Sequence, residues 1–288
     1  MKEHIWHSRR HLEAREPVFV GEFIVVPGTS DRALVGNGLH PDREAHLQGN
    51  QYVLAEEIGA TLYLPPNIGS AAVVPSPLLR AVQTARHNFV GMARAYAANI
   101  LKLKEFSSIE AKERLRLWGL HKKTEFVICD GLAETAYKNS ANQEDGGNEL
   151  VAEAYNTTVN AKYKGYQWML QKGFENDYRS EHPAELVKRA LSQVVPIVIG
   201  KDVVLSASHQ PNLEAITAAL TGTLGNDGNE VFENAGGAYG MGGGFELRVY
   251  EKDGRIKDAQ LKRTTSDPTV LDKELTVDVG VLRWAWTL

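Results

Sequence analysis

The chain has 288 residues, 43% of them hydrophobic and 24% charged, with a formal net charge of −4. Such a chain is long and apolar enough to bury a sizeable core, which sets aside disordered and fibrous classes. The acidic balance argues against nucleic acid as a partner, so any phosphate must be met by a local cluster of cations.

In chain order, Ile5–Arg10 is a short extended segment, unusually polar for a buried strand. Val18–Val26 is an apolar strand of Val, Phe and Ile with two interruptions, and Pro27–Asp31 follows as a turn. Leu39–Ile58 is helical after Pro41-Asp42, with Leu47, Val53, Leu54 and Ile58 at helix-compatible spacing. Ala71–Val74 is an apolar strand that stops at Pro75-Ser76-Pro77, and a helix runs on from about Leu78 to Leu101. The stretch of about 102–182 mixes charged helical segments, a strand-like Phe126-Val127-Ile128 and a loop at Asn139–Asn148. Pro183–Val194 is a helix with proline in its first turn. Asp202–Ala207 is a strand, Asn212–Leu220 a helix, and Gly222–Gly244 glycine-rich loop. Phe245–Tyr250 and Ile256–Leu261 form a hairpin about Asp253-Gly254. Trp284 and Trp286 alternate as on a half-buried strand.

Strands alternating with helices predict a layered α/β/α domain with a mostly parallel central sheet. We read residues 1–288 as one domain, with 102–182 as a helical insertion over the end of the sheet where ligands bind. The single cysteine, Cys129, excludes an intrachain disulfide framework. No stretch approaches the roughly 18 apolar residues of a membrane span, and the first residues hold no apolar run of signal-peptide type. A cytoplasmic location without a membrane partner is expected.

Three strand ends carry candidate chemistry. In Ser76–Ala85 a strand ends, a Ser-Pro turn opens a helix, and Arg80 falls in its first turn. Free N–H groups and a guanidinium there can grip phosphate. In Val203–Asn212 a buried strand ends and His209 follows, able to hydrogen-bond a phosphoryl oxygen. In Arg9-Arg10-His11, a histidine nitrogen competent to attack phosphorus sits beside arginines that offset phosphate charge. Each alone could be a surface cation or a structural histidine; together they converge on one sheet edge. The glycine-rich Ala235–Gly244 lacks the lysine of a phosphate-binding loop and precedes a strand, so it is read as a flexible loop. His4, His7 and His11 lack the carboxylates or cysteines of a metal site, so no metal and no cofactor are expected.

The pattern resembles the histidine phosphatase superfamily, also called phosphoglycerate mutase-like. Ser76–Ala85 is similar to that family's SPLxRAxQTA segment, and Ser208–Ala215 to its second-histidine motif in the form SHNPNLEA. Gly38-Leu39-His40-Pro41-Asp42 resembles its LTPEG helix start. The family's Arg-His-Gly motif would fall on Arg10-His11, with Leu12 in the glycine's place. The resemblance covers roughly 5–85 and 185–250. It implies a metal-independent phosphatase acting on a small phosphorylated molecule through a phosphohistidine. His11 is then the nucleophile; Arg10, Arg80 and His209 hold the phosphoryl group; and Glu134, in Leu132-Ala133-Glu134, is the general acid. Asp130, Glu144 and Asp145 are rival acids. Two alternatives stand: a phospholigand-binding member with impaired hydrolysis, suggested by Leu12, and a phosphoglycerate-mutase-type transferase. Selectivity would lie in 102–182 and in the long Leu12–Asn37 segment.

Overall fold

The computed structural model of the protein describes residues 1–12, 18–20, 23–25, 32–34, 51–65, 68–101, 124–133, 165–265 and 272–288. Its strands are β1 (Lys2–Arg10), β2 (Val18–Val20), β3 (Phe23–Val25), β4 (Arg32–Leu34), β5 (Ala71–Val73), β6 (Thr124–Phe126), β7 (Val203–Ser208), β8 (Gly244–Lys252), β9 (Arg255–Thr264) and β10 (Lys273–Thr276). Its α-helices are α1 (Gln51–Ala60), α2 (Leu79–Leu101), α3 (Tyr166–Phe174), α4 (Pro183–Gly200), α5 (Asn212–Leu220), α6 (Gly228–Asn234) and α7 (Val279–Trp286). A 3-10 turn spans Asp130–Leu132.

The main sheet has seven strands in the order β10-β9-β8-β1-β7-β5-β6. Strands β6, β5, β7 and β1 pair in parallel, and the β8–β9–β10 extension is antiparallel. This is the expected α/β class with parallel core strands. Alternation along β7 shows the layering. Val204 packs with Trp6 and with Leu186, Leu191 and Val194 of α4. Val203 and Leu205 face the other way, toward Met92 of α2, as Ala207 does toward Ala81 and Ala85. Helices therefore cover both faces, as parallel strands require.

The carboxyl ends of β1, β5 and β7 lie side by side at one edge of this layer. The polar β1 is central rather than marginal. Its buried polar side chains each find a partner for one atom: His4 Nδ1 with Lys201 O at 2.6 Å, Trp6 Nε1 with Ser206 Oγ at 2.8 Å, Ser8 Oγ with Ser206 Oγ at 2.8 Å, and His7 Nε2 with Tyr63 O at 2.9 Å. Arg9 Nη1 donates to Thr264 Oγ1. Burial lowers His7 to a pKa of about 3, so that ring is neutral.

Several expectations are corrected. Val18–Val26 is not one strand: β2 and β3 pair antiparallel, Val18 opposite Val25, and β4 adds a third strand to a separate sheet. The expected helix is described only as α1, where Val53 and Leu54 are exposed while Gln51, Ala55 and Gly59 are buried. The small face wins because α1 and α2 nearly touch; a Cβ on Gly59 would meet Asn88 O at 2.0 Å. Trp284 and Trp286 lie on a helix, started by Asp278 accepting from Gly280 N at 2.8 Å. The Gly222–Gly244 stretch contains α6, capped by Asp227 and burying Val231 and Phe232. The glycine-rich Ala235–Gly244 is tethered by Arg263, which donates to the carbonyls of Ala235 (2.8 Å), Gly237 (2.8 Å) and Ala238 (2.5 Å). The Asp253-Gly254 turn has both residues at positive φ, 55° and 68°, as a tight hairpin demands. Of 102–182, the described parts are residues 124–133 and 165–182; Asn139–Asn148, Leu47, Pro27–Asp31 and Gly38–Asp42 lie outside the described residues. No helix among the described residues is long and apolar enough to cross a membrane.

Candidate active site

Backbone pairing sets the site. His11 N donates to Ser208 O at 2.9 Å, extending the β1–β7 register by one residue. Ser76 N donates to Ala207 O at 2.9 Å, extending β5 along β7 in the same way. The residues that follow each strand, His11, Ser76 and His209, are thereby delivered to one place.

Their side chains meet around Arg80, in the first turn of α2. Arg80 Nε donates to His11 Nε2 at 3.0 Å, and Arg80 Nη2 to His209 Nδ1 at 3.1 Å. The imidazole centroids are 5.0 Å apart. A guanidinium only donates, so His209 Nδ1 is an acceptor and its proton sits on Nε2. That nitrogen is 2.7 Å from Ser76 Oγ, the acceptor of the proton. His11 is fixed likewise: Nδ1–H donates to the carbonyl of Leu12 at 2.7 Å, leaving the Nε2 lone pair facing Arg80. All four side chains belong to buried residues, so these bonds act away from bulk water.

A second layer holds the first. Leu12 N donates to Thr84 Oγ1 at 3.1 Å, and Thr84 Oγ1 donates to Arg80 O at 2.8 Å, tying the His11 turn to α2. The Leu12 side chain is buried against Ala55, with Tyr52 and Ile58 around it. Glu214 on α5 is wholly buried; its Oε1 accepts from Gln210 Nε2 at 2.7 Å and from Tyr239 N at 2.8 Å. Burial pushes its carboxyl above the ordinary range.

The structure brings together His11, Arg80 and His209. Arg10 is directed elsewhere: its Nη1 donates to Tyr239 O at 2.9 Å and its guanidinium lies 5.8 Å from the Tyr166 ring centroid. Glu134, Glu144 and Asp145 lie outside the described residues, and Asp130 is exposed at the start of the 3-10 turn. Ser76 and Thr84 were not singled out from the sequence. Ser76 could have been, since like His209 it follows closely on a strand end. Among the described residues, no group of three or more His, Cys, Asp or Glu could hold a metal ion.

No protein-family model matches the chain, and no curated protein sequence matches it. Among solved structures, the chain is similar to a mycobacterial hydrolase, with 16% identity over 100% of this chain and 98% of that one and a TM-score of 0.45. It is similar to a mycobacterial glucosyl-3-phosphoglycerate phosphatase at 13% identity, covering 86% and 92%, with a TM-score of 0.44. A phosphoglycerate mutase from Bacillus anthracis gives 12% identity, 99% and 97% coverage, and a TM-score of 0.45. Likeness at this level carries no functional argument, which rests on the site itself.

Proposed function

We propose that the protein is a metal-independent phosphatase of the histidine phosphatase type, acting on a small phosphorylated molecule. The observation that carries this reading is Arg80 bridging His11 Nε2 and His209 Nδ1 while the carbonyl of Leu12 holds the other nitrogen of His11. A lone pair, a cation and a second imidazole are thereby held together where a phosphoryl group could engage them. Incoming phosphoryl oxygens replace the imidazole nitrogens as acceptors for Arg80. A second proton on His209 turns its Nδ1 into a donor toward the same oxygens, with Nε2–H still on Ser76.

His11 Nε2 attacks phosphorus, the P–O bond to the leaving group breaks, and the leaving oxygen takes a proton from Glu134. Water then gives a proton to Glu134 and attacks the phosphohistidine, releasing phosphate and restoring His11. Arg10, half-buried beside Tyr239, joins the phosphate cluster if its guanidinium turns from that carbonyl. In this reading residues 1–288 form one domain, with 102–182 covering the site, and the single cysteine suits a cytoplasmic setting.

Turnover of a generic phosphomonoester in EDTA, compared with His11→Ala, is the test. We expect loss of turnover and of acid-labile phosphate on the protein; equal turnover in both proteins sinks the reading. A second reading, a phospholigand-binding module without hydrolysis, is favoured by Leu12 in the glycine position and by the orientation of Arg10. It predicts phosphate binding that needs Arg80 and His209, with no turnover.

A further inference from the structure

Glu246 and Arg248 of β8 share one face of the antiparallel extension with Lys262 and Thr264 of β9, because Glu246 pairs with Lys262 and side chains alternate along a strand. The opposite face, with Phe245, Leu247 and Leu261, belongs to the core. The polar face, Arg9 of β1 and the C-terminal end of α1 line a cavity of about 540 Å³, within the range of small-molecule sites. None of His11, Arg80 and His209 lines it.

Arg9 is the group in this cavity that the fold leaves uncompensated. It is 5% exposed, and burial lowers it to a pKa of about 10, so it remains a cation at neutral pH. A buried cation is costly unless it is paired. Its Nη1 donates to Thr264 Oγ1, and its Nε has no partner among the described residues. The acids whose charge it feels, Glu246 and Asp272, are engaged by other cations: Glu246 by Arg248 at 2.6 Å and Asp272 by Lys262 at 2.9 Å. Two other arginines of the chain show what the Nε side of the fork takes. Arg189 grips Glu181 with Nε at 3.0 Å and Nη2 at 2.6 Å, and Arg179 grips Asp177 with Nε at 3.0 Å and Nη2 at 2.8 Å.

The charge of the lining selects the class of anion. Among the described residues, Arg9, Arg248 and Lys262 are balanced by Glu57, Glu246 and Asp272. A single negative charge matches the one buried cation without an ion pair. A phosphate dianion would bring a second charge against three acids. Glu57, exposed on α1, offers an acceptor to hydroxyl groups on the rest of a ligand.

We propose that this cavity is a binding site for a small hydroxylated carboxylate, with the carboxylate on Arg9, separate from the site around Arg80. The proposal does not depend on the phosphatase reading.

The test is titration calorimetry of the full chain with sodium gluconate, alone and in competition with inorganic phosphate, on the wild type, Arg9→Gln, Thr61→Trp and Arg80→Gln. Thr61 lines the cavity and is exposed, so a tryptophan there fills the space without entering the core. The wild type should bind one gluconate per chain. Arg9→Gln should weaken binding by about tenfold or more, the scale of a lost charge-assisted hydrogen bond. Thr61→Trp should abolish it at an unchanged Tm, and it decides the matter if Arg9→Gln does not fold. Arg80→Gln should leave gluconate affinity as in the wild type. Absence of saturable binding, binding that survives either cavity variant in a folded protein, or binding lost with Arg80 overturns the proposal. So does phosphate that outcompetes gluconate and is itself lost in Thr61→Trp, because the cavity then selects a different anion. None of these outcomes bears on the role of His11.

Discussion

Arg80 Nε stands 3.0 Å from Nε2 of His11, a residue 69 positions earlier in the chain. The same guanidinium reaches His209, 129 positions later, at 3.1 Å. One cation thus joins the two histidines and lies across the lone pair of His11.

Spanning both rings needs the planar fork and not just positive charge. Arg80→Lys is expected to lower kcat/KM on a phosphomonoester by about 10²–10³-fold, the scale set by loss of a preorganised charge donor. Steady-state kinetics decides it, and a lysine variant within threefold of wild type would show that charge alone suffices.

Ser76→Ala strips His209 Nε2–H of its acceptor where both residues are buried. Leaving one such donor unmet costs about 1–3 kcal/mol, which corresponds to roughly a ten- to hundredfold loss of turnover. Nitrogen-15 NMR of the His209 ring should show the Nε2–H tautomer in the wild type and a mixture in the variant. An unchanged spectrum would remove Ser76 from the machinery.

Leu12→Gly separates packing from chemistry. The side chain is 0% exposed against Ala55, so its removal should destabilise the fold by about 2–5 kcal/mol. The carbonyl that holds His11 Nδ1 stays in the chain. Denaturant melts should move while kcat per folded molecule holds; a tenfold fall in kcat at full folding would place the side chain in the catalytic arrangement.

His7 ties stability to pH. Its folded pKa is lowered by burial from 6.5 to about 3, so the unfolded chain takes up a proton in that window while the folded chain does not. Stability should therefore fall as pH drops from 6.5 toward 3, by up to about 1.4 kcal/mol per pH unit from this group. His4, also lowered mainly by burial, acts in the same direction. The Tm of His7→Gln should decline less steeply than that of wild type between pH 6.5 and 4; parallel declines would rule out this source.

The site was legible where a buried strand runs straight into a helix. Val203–Ser208 into Asn212–Leu220, and Ala71–Val73 into Leu79–Leu101, announce themselves by apolar runs broken at polar residues. β1 was the weaker reading because pattern counts apolar residues, whereas this strand buries His4, His7, Ser8 and Arg9 by giving them long-range partners. Those partners, Lys201, Tyr63, Ser206 and Thr264, are invisible to a local window. The terminal tryptophans misled for a related reason: over three residues, alternation and helical spacing look alike, and the deciding signal was the Asp278 cap. The apolar run of Val18–Val26 hid its division into β2 and β3.

The oxygen that holds the Nδ1 proton of His11 is a peptide oxygen, and every residue type brings one. No codon change at position 12 can delete it. Drift there is screened by the fit against α1, while the tautomer of His11 is inherited from the course of the main chain. Only a substitution that turns the peptide plane between Leu12 and Glu13 would reach it.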